Sequence, residues 1–271
     1  MKKSLICMNF LLFLLLIVSS LCAFGKNLDM KGLVVYYSFD ADTRSDTDFL
    51  DISGNENHGL VQGNNIKNVE GRVNEAVEFP GLGGQYIAVR NVLYAAGIPE
   101  LSISVWIKTA QKGLISSWDR SEFFRFGVGD DQLGNETFVA FDVCCPITDW
   151  HGDTAVTDNQ WHHLVVTFDG EKKRIYVDGK LDAEAAAHGE FIGPKAQRFG
   201  FIGVGSEAPD FNGPRGPTNF PFKGLMDEYI MLHRALTEKE VEKIASLNSN
   251  PFNVEPSNKL TTAWGNIKRL K

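Results

Sequence analysis

Residues 161–180 read WHHLVVTFDGEKKRIYVDGK, and the organisation of the chain can be worked outward from them. Two alternating runs rich in β-branched and aromatic residues, Trp161–Phe168 and Lys172–Val177, are joined through Asp169-Gly170 and followed by Asp178-Gly179. Asp-Gly supplies the positive φ that tight hairpin turns need, so the spacing predicts a meander whose third strand starts at Lys180. Further period-two runs lie at 33–39, 76–79, 85–89, Leu101–Lys108, Gly113–Trp118, 123–128, 137–144, 199–204 and 224–233. Many short strands separated by Gly, Asp and Asn predict an all-β sandwich or jelly roll. One helix is expected. Thr237 and Glu240 fit the N-cap and N3 positions of a capping box, with Leu236 and Val241 at the staple positions. Val241, Ile244 and Ala245 then form one apolar stripe that stops at Asn248.

The 271 residues are 43% hydrophobic and 23% charged, an ordinary globular composition that excludes disorder, collagen-like repeats and coiled coil. A net charge of −7 argues against a nucleic-acid binder, which needs a basic face. Lys2 and Lys3 precede an apolar run over 10–18 and the small residues Ser19, Ser20, Ala23 and Gly25. That pattern reads as a signal peptide over 1–25, too short to span a membrane. The chain is therefore expected to be secreted, periplasmic or at the cell surface. Residues 26–250 form one domain, and 251–271 a linker and short basic tail. Cys22, which closes the apolar run, offers a lipid anchor as an alternative, although Leu21 before it is bulky. Outside the leader only Cys144 and Cys145 remain. Adjacent cysteines either close a vicinal disulfide or point one thiol inward and one outward from a strand. His162 and His163 face opposite ways for the same reason and suit no zinc site.

Short motifs recur along the chain in a fixed order. They are Tyr36-Tyr37-Ser38-Phe39-Asp40, Asp51-Ile52-Ser53-Gly54-Asn55, Ala76-Val77-Glu78-Phe79 and Ile103-Ser104-Val105-Trp106-Ile107. Trp161-His162-His163-Leu164, Ile175-Tyr176-Val177-Asp178-Gly179, Gly224-Leu225-Met226-Asp227-Glu228 and Arg234-Ala235-Leu236-Thr237 follow. Over about residues 32–248 this set resembles the laminin G-like jelly-roll domains of the concanavalin A-like lectin/glucanase superfamily. The resemblance implies two antiparallel sheets, one concave, in Greek-key order. Members are mostly binding modules, often for carbohydrate; many carry calcium and some are enzymes, so fold alone does not settle function.

In such a fold the first and last strands are antiparallel neighbours. Asp40 would then meet Asp227 and Glu228, close to the loop that carries Asp51 and Asn55. With the resemblance, this implies a Ca2+ site on Asp40, Asp51, Asn55, Asp227 and Glu228, because calcium takes six to eight oxygens. The alternative is that Asp51 and Asn55 make turns while Asp227 pairs with Lys223 or Arg234. A second cluster, Trp118, Arg120, Glu122 and Arg125, precedes Asp142 on the next strand and Trp150 and His151 in the loop beyond. Phe211 stands in a Gly- and Pro-rich loop over 206–221. Rings beside planar polar side chains suit sugars; an Arg125–Asp142 ion pair with Trp150 as a loop anchor is the purely structural alternative. The expected function is a secreted, calcium-stabilised module binding carbohydrate or a glycosylated surface. The other readings are an adhesion domain that binds protein, with the tail around Trp264 as a docking element, and a glycan-active enzyme using Glu122, Asp142 or His151. The paired carboxylates of glycosidases are not evident in any strand run.

Overall fold

The computed structural model describes residues 28–94, 96–118, 123–130, 135–144, 150–187, 192–193, 198–205 and 220–252. The expected leader, the anchor at Cys22, Cys145, and the tail beyond Phe252 lie outside the described residues. So do three expected ligand residues, Arg120, Glu122 and Phe211.

Two antiparallel sheets stack face to face. The first runs β14 (Lys180–Ala186), β13 (Lys172–Val177), β12 (Trp161–Phe168), β7 (Leu101–Lys108), β16 (Lys223–Leu232), β5 (Glu75–Pro80) and β4 (Lys67–Glu70), with β1 (Leu33–Tyr37) also paired to β16. The second runs β11 (His151–Ala155), β10 (Asn135–Val143), β9 (Phe124–Asp130), β8 (Gly113–Trp118), β15 (Arg198–Ile202), β6 (Tyr86–Tyr94), β3 (Gly59–Gln62) and β2 (Asp48–Phe49). The jelly-roll sandwich expected from the alternating runs is the fold found. The Asp-Gly meander is β12–β13–β14, and Asp178 and Gly179 take the positive φ values, 51° and 80°, that its turn requires.

Alternation decides what is buried between the layers. Ile103, Val105 and Ile107 of β7, Leu164 and Val166 of β12, and Phe124, Phe126 and Phe141 of β9 and β10 all enter one core cluster. Four strands were not evident from alternation: β2, β3, β4 and β11. Sequences such as KNVE and HGDTA carry little apolar pattern, and their backbones pair because a neighbouring strand offers unpaired donors and acceptors.

The expected helix is α1 (Glu238–Ser246). Thr237 Oγ1 accepts from the Glu240 backbone N–H, and the Glu240 carboxylate accepts from the Thr237 backbone N–H, completing the capping box. Val241 and Ile244 bury against Tyr36, Val165, Ile230 and Leu232 on the outer face of the first sheet, joined by Leu28 and Phe252. This second apolar layer ties the chain ends down: the Leu28 N–H donates to the Pro251 carbonyl at 3.0 Å.

Because the cap satisfies two otherwise orphaned donors at the start of α1, Thr237→Ala is expected to cost about 1 kcal/mol. Equilibrium denaturation of the full chain checks this, and an unchanged unfolding midpoint would show that the cap adds nothing to packing.

Candidate functional site

Strand register assembles a row of side chains across the second sheet. Asp142 pairs with Arg125, Arg125 with Ser117, Ser117 with Phe201, Phe201 with Ala88, and Ala88 with Leu60. Register partners point to the same face, and the intervening Phe124, Phe126, Phe141 and Val143 fill the core, so the row lies on the outer face. Arg125 Nε donates to Asp142 Oδ2 at 2.8 Å, with the two side chains 7% and 0% exposed. Asp142 Oδ1 also accepts from the Trp150 backbone N–H at 2.7 Å, so this ion pair fixes the entry into β11.

Most of the row is buried, including Ser117, Phe201 and Ala88. Access opens at the β10–β11 edge. There Phe138 and His151, both half-buried, stack with centroids 5.4 Å apart, and His151 is two strand positions from Asp142 through its partner Ala140. Trp150 packs against the core, and Lys173 reaches across from β13 to place Nζ 4.9 Å from its ring centroid. Phe138 was not among the expected site residues. The period-two pattern of 137–144 places it on the face of Asp142, and that signal identifies it.

Trp118 does not belong to a ligand surface. It is fully buried, stacks on Phe124 with centroids 5.3 Å apart, and donates its indole N–H to the Val92 carbonyl at 3.0 Å. A bulge in β8 between Leu114 and Ser116 resets the alternation and turns the ring inward.

The expected metal ligands separate into two groups. β1 and β16 pair antiparallel, with Tyr37 opposite Tyr229. Against β7, one extra residue of β16 stands between Asp227, opposite Trp106, and Ile230, opposite Ser104. Glu228 occupies this bulge at φ 54°, so two successive carboxylates reach the outer face of the first sheet. Asp227 Oδ2 accepts from the Arg72 and Val73 backbone N–H groups, both at 2.8 Å, and Glu228 Oε2 accepts from the Tyr36 hydroxyl. Burial pushes Asp227 up to about 7 and Glu228 up to about 8, and repulsion from Asp40 adds to both. Asp40 itself accepts from the Glu75 N–H at 3.1 Å.

Asp51 and Asn55 serve elsewhere. Asp51 Oδ1 takes the Tyr36 and Ser53 N–H groups, and its Oδ2 takes the Ser53 hydroxyl and the Asn57 N–H. The Asn55 amide donates to the Leu33 and Val34 carbonyls. Asp51 has spent its oxygens on the loop, and among the described residues no group of three or more His, Cys, Asp or Glu is arranged to hold a metal ion. The residues as folded do not fit the expected calcium ion. Arg234, the suggested partner of Asp227, instead pairs with Glu240 at 2.7 Å.

These buried groups set a pH profile with two limbs. Glu228 and Asp227 hold protons in the fold that the unfolded chain releases, so stability falls as pH rises from the ordinary carboxylate range to about 8. His163 is buried neutral and lowered to about 3, so its own contribution falls as pH drops below 6.5, where the unfolded imidazole takes a proton; it opposes the carboxyl limb at first and dominates only once pH reaches the ordinary carboxylate range. Melting temperature should therefore peak at mildly acidic pH. Glu228→Gln should flatten the alkaline limb and His163→Phe the acidic one in calorimetric scans; limbs unchanged by both variants would contradict the assignment.

Comparison with known proteins agrees with the fold. The family model Laminin_G_3, of the concanavalin A-like lectin/glucanases superfamily, matches residues 82–242. No curated protein sequence matches the chain. Among solved structures, the binding domain of Paraclostridial Mosquitocidal Protein 1 superposes with TM-score 0.59 at 15% identity, covering 80% of this chain and 52% of that one. Domain 4 of AbnA, a GH43 extracellular arabinanase from Geobacillus stearothermophilus solved with arabinotriose, gives TM-score 0.58 at 21% identity, covering 79% and 98%. A botulinum neurotoxin type C structure, whose cell entry depends on two ganglioside molecules, gives 0.55 at 13% identity, covering 80% and 51%. The chain thus spans about half the length of the mosquitocidal-protein and neurotoxin structures and nearly all of the arabinanase domain. On its two-sheet architecture and a family match over more than half its length, the chain belongs to the concanavalin A-like lectin/glucanases superfamily.

Proposed function

We propose that this chain is an exported binding module that recognises carbohydrate at the β10–β11 edge of the second sheet. The observation that carries this reading is the half-buried Phe138–His151 stack standing beside the buried Arg125–Asp142 pair. Aromatic rings take the C–H faces of a sugar, and a polar frame behind them keeps the rings in one orientation. Asp142 supplies that frame by accepting from both Arg125 and the Trp150 backbone, so the strand bearing His151 cannot shift independently of β9.

The resemblance to the arabinanase domain solved with arabinotriose, and to a toxin whose cell entry depends on gangliosides, supports a glycan as the ligand class. The leader pattern at 1–25 supports export. No helix among the described residues is long and apolar enough to cross a membrane.

A glycan array that includes arabino-oligosaccharides, followed by calorimetric titration, tests the reading. Phe138→Ala and His151→Ala should each weaken binding about tenfold, the worth of roughly 1.4 kcal/mol, without lowering the melting temperature by more than a few degrees. Affinity unchanged in both variants overturns the site. Affinity should be equal with calcium and with a chelator, since the donor set does not fit the ion. Arg125→Ala should behave differently. It leaves the buried Asp142 carboxylate without its ion-pair partner and is expected to cost about 3–5 kcal/mol of stability in denaturant unfolding.

A further inference from the structure

β11 and β14 are edge strands of opposite sheets, and the Asp182 carboxylate ties one to the other. Between the register pairs Ala155–Phe138 and His151–Ala140, β11 has three residues, 152–154, where β10 has one, Val139. Such a bulge bends the strand and takes its extra residues out of the ladder. Asp182 of β14 meets them from the other sheet. Its Oδ2 accepts from the Asp153 N–H at 2.9 Å and the Thr154 N–H at 3.3 Å, and its Oδ1 from the Thr154 hydroxyl. Gly152 makes room for this approach. A Cβ there would stand 1.9 Å from Asp182 Oδ2, so any side chain at 152 displaces the carboxylate.

This latch acts on the β10–β11 edge through one atom. The Gly152 carbonyl oxygen lies 2.5 Å from His151 Nδ1. A carbonyl only accepts, so Nδ1 carries the proton, and the neutral ring then keeps its accepting lone pair on Nε2. No hydrogen bond among the described residues engages that nitrogen. Phe138, inclined by 27° to the imidazole it stacks on, sets the plane in which the lone pair lies. A strand at the edge of a sheet opens locally at low cost, so the carbonyl holds the tautomer only while the bulge itself is held.

We propose that Asp182 is a positioning residue for the glycan edge. By latching Asp153 and Thr154 it fixes the Gly152 carbonyl, which keeps His151 in the Nδ1–H tautomer and leaves Nε2 to accept a hydroxyl of the sugar packed against Phe138. The proposal rests on the carbohydrate reading of that edge and adds to it the atom that receives a sugar hydroxyl.

The test uses the 15N-labelled full chain in mildly alkaline buffer, where histidine is neutral. Imidazole NMR spectra should show His151 as the Nδ1–H tautomer in the wild type and as a mixture in Asp182→Ala. Gly152→Ala, which pushes the carboxylate away, should match Asp182→Ala. Asp182→Asn keeps one accepting oxygen and should restore the wild-type spectrum. Calorimetric titration with arabinotriose, or with the strongest binder on the array where that differs, reads the consequence. Affinity should fall about tenfold in Asp182→Ala and stay within about threefold of wild type in Asp182→Asn, with melting temperatures little changed. A tautomer unmoved by Asp182→Ala, or equal affinity in wild type and Asp182→Ala, overturns the positioning role. A wild-type chain that binds no glycan while its tautomer responds as expected overturns the carbohydrate reading instead, and with it the role of Nε2.

Discussion

Lys223–Leu232 is the strand on which the sandwich depends, because three others hydrogen-bond to it. β7 runs along one side; on the other, β5 covers the first part of its length and β1 the last. A buried backbone must find all its partners, so the strand needs both its neighbours and the chain's N-terminal segment. Its bulge is held from outside the sheet. Glu228 adopts a left-handed conformation that costs a non-glycine residue free energy, and the Arg72, Val73 and Tyr36 donors offset that cost by fixing the two carboxyls that the bulge presents.

The two outer faces end up with different characters. On the first sheet, α1, Leu28 and Phe252 lay a second apolar layer over Tyr36, Val165 and Ile230, leaving the polar row of Ser104, Trp106 and His163 at its margin. On the second, a small cluster of Tyr86, Ala88, Phe201 and Val204 occupies one end, and the Arg125–Asp142 pair the other. Polar groups on both faces are thus placed by strand register rather than by loops, which favours precise geometry over adaptability.

Wherever simple alternation governed, the sequence was sufficient. It located the Asp-Gly meander, the capping box of α1 and the shared face of Arg125 and Asp142. It failed where a bulge changed the parity of a strand, since one inserted residue sends the following side chains to the opposite face. Trp118 turned into the core for that reason. For Asp51 the sequence left two roles open, and the turn-making one is found: its four hydrogen bonds close a loop around Tyr36, Ser53 and Asn57, and loop closure leaves no periodic trace that could have decided between them. β4 and β11 were invisible because their partners, not their own residues, recruit them.

The pairing of Leu33 with Leu232 joins residues almost two hundred positions apart. A ribosome therefore delivers the first strand long before the strand that completes it exists, and closing so large a loop carries an entropic penalty that local contacts do not defray. Until Lys223–Leu232 is synthesised, the nascent polypeptide has an unzipped sheet with open hydrogen-bonding edges. That interval is when unguarded edges are most prone to aggregate.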